Sequence, residues 1–145
     1  MSIVFDLTFA GSPCGTVDAN EPPGVAVAYT VEIAAGQPAT IGAERMTIEV
    51  RRIRDDRCPT EPGPNGEYVA CAWQGHAAVT LRVAVGADEA REVVVGTPAP
   101  AHMNLPYEAT LGPYRFRLIG LVPGSRPFVG RPLEEYRMTI RVTRR

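Results

Sequence analysis

Wherever this chain is strongly apolar, its apolar side chains return at every second position, and nowhere is helical spacing sustained. Val79, Leu81, Val83 and Val85 fall on one face of an extended run, with Thr80, Arg82 and Ala84 on the other. Tyr136, Met138, Ile140 and Val142 alternate in the same way with Arg137, Thr139 and Arg141. A period of two is that of a strand with one buried face, whereas a helix buries every third or fourth residue. Val25, Val27, Tyr29, Val31 and Ile33 predict another strand, as do Met46, Ile48 and Val50, and then Tyr114, Phe116 and Leu118. Ile3, Phe5, Leu7 and Phe9 predict a first strand, and shorter ones are expected near 39–42, 91–95 and 107–111. Ile53 is out of step with Met46, Ile48 and Val50, which predicts a bulge late in that strand.

Glycine and proline, 14 of each, punctuate these runs and supply their turns. Strands of five to ten residues between such turns predict an all-β fold, an antiparallel, immunoglobulin-like β-sandwich. The 145 residues suffice for one domain, 1–145, with a real core. No apolar run reaches the length of a membrane-spanning helix. The net charge of −1 lacks the basic excess of a nucleic-acid binder, so neither a nucleic-acid partner nor a membrane span is expected. All basic residues are arginine, and Arg51, Arg52, Arg54 and Arg57, interleaved with Glu49, Asp55 and Asp56, read as a solvated strand face.

One segment departs from the alternating pattern. Cys58 and Cys71 bracket Pro59, Pro62, Gly63, Pro64, Asn65 and Gly66, residues that make turns and interrupt ladders. A strand-like run follows, Glu67–Trp73, in which Val69, Cys71 and Trp73 would share a face. A Cys58–Cys71 disulfide closes a loop of about 14 residues, worth roughly 3 kcal/mol in the chain-entropy picture. It is favoured over two buried thiols, and over zinc, for which the cysteine spacing is wrong and His76 is the one further ligand nearby. Cys14, in a turn-like Gly-Ser-Pro-Cys-Gly, is left over as a free thiol or a trace of lipid attachment. Residues 1–13 lack the basic start and unbroken apolar run of an export signal, so any signal is expected to have been removed. Asp55 is expected to cap the loop by accepting backbone N–H bonds ahead of Cys58.

Asp55, Arg57, Cys58 and Pro59, followed by Cys71, Trp73 and Gly75 and an alternating strand, resemble a pattern of small bacterial secreted proteins and lipoproteins: Asp-Ser-Arg-Cys-Pro, a gap, then Cys-x-Trp-x-Gly. Asp56 stands at the serine position, and the gap here is longer. The resemblance covers about residues 46–85. It implies a disulfide-linked β-domain outside the cytoplasm (periplasmic, secreted or cell-surface) and implies no activity.

Catalytic groups are sparse. Ser2, Ser12 and Ser125 lie in no nucleophile-elbow setting. A disulfide would consume the thiol closest to His76. Asp55-Asp56, Asp88-Glu89 and Glu134-Glu135 are neighbours whose side chains point to opposite faces of a strand, so they read as turn and surface charges. His76 reads as a rim residue. Trp73 beside a cysteine pair suits a sandwich core. No catalytic residue, metal site or cofactor is expected. The leading expectation is a non-enzymatic binding or structural module for an unidentified protein or small ligand, with Asp55, Arg57, Trp73 and His76 as candidate contacts. Arg126, Pro127 and Phe128 add a second possibility. Arg-Pro-Phe-Val-Gly at 126–130 resembles an inhibitory loop of chagasin-type cysteine-protease inhibitors, in which the aromatic residue packs at the protease cleft. The chain has neither the Asn-Pro-Thr-Thr-Gly nor the Gly-x-Gly-Gly loop of that family. A metal-dependent enzyme using His76, His102 and acidic loop residues is the third reading.

Overall fold

The computed structural model describes residues 3–9, 27–126 and 131–145. These form nine strands: β1 (Ile3–Phe9), β2 (Val27–Ala34), β3 (Ala39–Ile41), β4 (Met46–Arg57), β5 (Gly75–Val85), β6 (Arg91–Gly96), β7 (Glu108–Leu111), β8 (Tyr114–Val122) and β9 (Arg137–Arg144). One sheet runs β1-β2-β9-β8-β7, the other β3-β4-β5-β6, and every pairing is antiparallel. The second sheet is a plain meander. The chain crosses between the sheets after β2 and again after β6.

The alternating residues meet between the sheets. Tyr29, Val31, Ile33, Phe116, Leu118, Ile140 and Val142 of one sheet share a single buried cluster with Met46, Ile48, Val50, Val79, Leu81 and Val83 of the other. Two antiparallel sheets over one core make the β-sandwich that the period of two predicts. Ile48 is wholly buried at its centre. Ile48→Val is expected to lower folding stability by about 1 kcal/mol, read by urea denaturation, because one methylene is removed from a close-packed site.

Two bulges change which side chains face inward. In β4 the register shifts between Val50 and Arg52, the irregularity that Ile53 foretells. Before it, Met46, Ile48 and Val50 point inward; after it, Ile53, Asp55 and Arg57 are the less exposed positions. One extra residue exchanges the faces of a strand. In β8 the shift falls between Leu118 and Gly120, and the buried series passes from Tyr114, Phe116 and Leu118 to Leu121. The first bulge carries two charged side chains, Asp55 and Arg57, into the gap between the sheets. Arg51, Arg52 and Arg54 stay on the solvated face, but Arg57 does not, which corrects the reading of all four as one exposed cluster: its side chain is 16% exposed.

Residues 58–74 contain no strand, which corrects the expectation of one over Glu67–Trp73. The β4–β5 ladder ends at Arg57 opposite Gly75, so the segment beyond has no neighbour to pair with, and a β-forming sequence without a partner stays irregular.

Candidate functional site

The end of the sandwich where β4 and β5 meet gathers most of the candidate contact residues. The Cys58–Cys71 disulfide is present, its Cα atoms 5.9 Å apart, in the ordinary range for the bridge. It therefore removes thiol chemistry at both positions. Below the bridge the two legs of the loop are joined by Cys58 N–H donating to Gln74 O (2.8 Å). At the tip, Gly63 N–H donates to Glu67 O (2.7 Å), and Asn65 N–H to the Glu67 carboxylate (2.8 Å). Backbone N–H bonds, its own first and then that of Asn65, hold the Glu67 carboxyl below its usual value.

The loop is fastened to the body on two sides. Thr60 N–H donates to Ser125 O (3.0 Å), and the Gln74 side-chain amide to Pro98 O (3.2 Å). Arg131 is the larger fastening. Its guanidinium donates to Glu61 (2.9 Å), Gly124 O (2.8 Å) and Glu135 (3.0 Å). A cleft of about 370 Å³ lies between the neck of the loop and the segment at Thr97 and Pro98, with Arg57, Thr60 and Gln74 in its walls.

Asp55 and Arg57 form a latch between the sheets. Asp55 accepts from Arg57 Nε (2.7 Å), from Arg57 Nη2 (2.8 Å) and from the Tyr136 hydroxyl (2.8 Å). Arg57 also donates to Leu121 O (2.9 Å) and Pro123 O (2.8 Å), the carbonyls on either side of Val122 at the end of β8. Burial alone would raise the Asp55 carboxyl, but the bonds from Arg57 and Tyr136, with the Arg57 charge, outweigh it and hold the carboxyl below its ordinary value. Tyr136 is pushed up to about 12, first by burial and then by its bond to Asp55. The expected cap is present as well: Arg57 N–H donates to Asp55 Oδ1 (3.2 Å). Asp55 and Asp56 point to opposite sides, their side chains 8% and 64% exposed, so the pair is no acid–base couple.

Glu44 makes a similar latch at the other end of the sandwich. It accepts from the hydroxyls of Tyr29 (2.6 Å) and Tyr114 (2.8 Å) and pairs with Arg144 (3.3 Å). Burial first, then the bond to Glu44, raises the Tyr114 hydroxyl. With a carboxylate–tyrosine–arginine cluster at each end, both latches read as fastenings of the fold. Sequence reading passed over Tyr136, Arg131 and Glu44, because each has one partner 70 or more residues away, a separation that no local pattern encodes.

His76 is buried, which corrects its reading as a rim residue. It is 7% exposed, and its Nε2–H donates to Pro106 O (2.7 Å), tying β5 to the loop before β7. Trp73 moves the other way. It is 39% exposed on the stapled loop, not in the core, and Tyr68 (78%) and Val69 (37%) are exposed with it. Arg126 lies near Glu135 (3.9 Å), on the segment bonded to the stapled loop through Ser125. Pro127, Phe128 and Cys14 lie outside the described residues. Among the described residues no three His, Cys, Asp or Glu side chains come together to hold a metal, and no helix is long and apolar enough to cross a membrane. No family model, curated protein or solved structure matches the chain.

Proposed function

We propose that this is a non-enzymatic binding module of an oxidising, extracytoplasmic compartment, and that it engages a protein partner through its stapled loop. The observation that carries this reading is the exposure of Tyr68, Val69 and Trp73 on a loop closed by a disulfide and fastened at its base. Tyrosine and tryptophan offer large contact areas with few rotatable bonds, and a covalently closed loop loses less freedom on binding than an open one. The disulfide itself supports an oxidising compartment.

Because both aromatics are exposed, Tyr68→Ala/Trp73→Ala is expected to change folding stability by less than about 1 kcal/mol. It is expected to weaken partner binding by about 2 kcal/mol or more, the loss typical of an aromatic hot spot. The test is cross-linking of the purified protein, and of this variant, to an envelope extract of the host. Partners captured by the parent and lost by the folded variant support the reading; an identical captured set removes the loop from it.

A second reading, inhibition of a papain-like protease by the 126–130 loop, is favoured by one feature. Both flanks of that loop are pinned, Ser125 O by Thr60 and Glu61 N–H groups and Arg131 by Glu61 and Glu135. Pinned flanks suit a loop that must hold its shape in a cleft. Papain activity unchanged by micromolar protein would end that reading.

A further inference from the structure

The outer faces of the two sheets treat arginine differently. On the four-stranded sheet Arg51, Arg52, Arg54 and Arg82 are neutralised. Arg82 lies opposite Glu49 on one side and Glu92 on the other, and ion pairs join Arg82 to Glu49, Arg51 to Glu49, Arg52 to Glu92 and Arg54 to Asp56. On the five-stranded sheet four are not, although Arg144 at the end of β9 pairs with Glu44. Arg115 and Arg117 of β8 and Arg137 and Arg141 of β9 are exposed, alternating with buried Phe116, Leu118, Met138, Ile140 and Val142. None of the four makes an ion pair with a described residue. Arg117 stands directly opposite Arg141, like charge against like, an arrangement that disfavours the strand pair. The carboxylates on the described part of this face are Glu108, opposite Arg117, and Glu32, opposite Thr139. Arg117 also lies over the Tyr107 ring (5.3 Å), and Thr30 and Thr143 stand beside the arginines, Thr30 opposite Arg141 and Thr143 opposite Arg115.

The same face carries bare aliphatic surface. The β8 bulge leaves Ile119 52% exposed, and Val122, opposite Arg137, is 58% exposed. Broad, cationic and studded with aliphatic side chains, the face suits an extended anionic surface better than a compact ligand. We propose that it docks on an anionic lipid bilayer, the arginines meeting headgroup phosphates and Ile119 and Val122 entering the interface. Guanidinium pairs bidentately with phosphate, and an apolar contact added to a basic patch is the two-part signal that peripheral attachment needs. The near-zero net charge does not oppose this, because screening confines the attraction to charges within about 10 Å of the surface.

The experiment is sedimentation of the purified chain with vesicles of equal parts phosphatidylglycerol and phosphatidylcholine, against vesicles of phosphatidylcholine alone. Binding is expected to the anionic vesicles only and to weaken with salt. Arg117→Gln/Arg141→Gln is expected to reduce it about thirtyfold, from two basic side chains near the surface. Arg52→Gln/Arg82→Gln, on the opposite face, is expected to leave it unchanged. Ile119→Asn, which alters no charge, is expected to weaken it severalfold. No binding to anionic vesicles at low salt, or equal losses from the two arginine pairs, would overturn the proposal. So would displacement by soluble polyphosphate together with indifference to Ile119→Asn, which would assign the face to a soluble polyanion. Circular dichroism of each variant separates lost binding from lost folding.

Discussion

Asp55→Ala is expected to lower folding stability by about 3–5 kcal/mol. Among the described residues the carboxylate is the one anion paired with the Arg57 guanidinium, and both side chains are largely shielded from water, 8% and 16% exposed. Removing it leaves a buried cation with only the neutral carbonyls of Leu121 and Pro123 as acceptors, and leaves the Tyr136 hydroxyl without its acceptor. The loss comes from the stranded partner more than from the pair itself, since desolvation offsets much of the attraction in a buried ion pair. Asp55→Ala/Arg57→Met is therefore expected to recover part of the loss. Urea denaturation followed by far-ultraviolet circular dichroism measures both. A double variant no more stable than Asp55→Ala would show that Arg57 is held by its carbonyls alone.

The same latch sets the pH range of the fold. The Asp55 carboxyl is held below its ordinary 3.8, so its contribution is present above that value and is lost as pH falls through the depressed folded-state value. Tyr136 acts at the alkaline end. Its hydroxyl titrates near 10.0 in the unfolded chain and near 12 in the fold, so its contribution is full below 10 and is lost as pH rises towards 12. Asp55→Ala should flatten the acid limb of the stability profile, and Tyr136→Phe the alkaline limb.

The fold was legible because its core is written in alternation. Val79, Leu81 and Val83, and Tyr136 to Val142, are buried in the expected phase, with Val85 partly buried and Thr80 covered on the other face, and the misplaced Ile53 located a bulge. The staple was legible because prolines and glycines crowd between Cys58 and Cys71. What lay beyond local pattern were the polar contacts made across the sandwich. Arg57 resembles its exposed neighbours in sequence, and only the register change after Val50 turns it inward. Trp73 was misread because its run alternates like a strand, yet alternation marks a buried face only where a partner strand exists. The loop beyond the end of the β4–β5 ladder has none.

Gly75→Ala is expected to cost about 3 kcal/mol or more, with its first effect at the stapled loop. Gly75 opens β5 with φ +77, a conformation that alanine adopts only under strain. A Cβ there would also press on the Asp56 carbonyl oxygen, and would lie 2.7 Å from Arg57 Cα and 2.8 Å from Cys58 N. All three are backbone atoms of the opposite leg, so no side chain can swing aside to make room, and overpacking adds to the strain. The legs must separate, and the Cys58–Gln74 bond that closes the neck lies between them. Trp73 is the only tryptophan in the chain, so its fluorescence reports on the loop while circular dichroism reports on the sheets. In urea the tryptophan signal of Gly75→Ala is expected to change at lower denaturant than the sheet signal, whereas in the parent protein the two should be closer together. Coincident transitions in the variant would instead mean that the neck of the loop and the sandwich unfold as one unit, which would make the loop a rigid part of the fold rather than an appendage held by its staple.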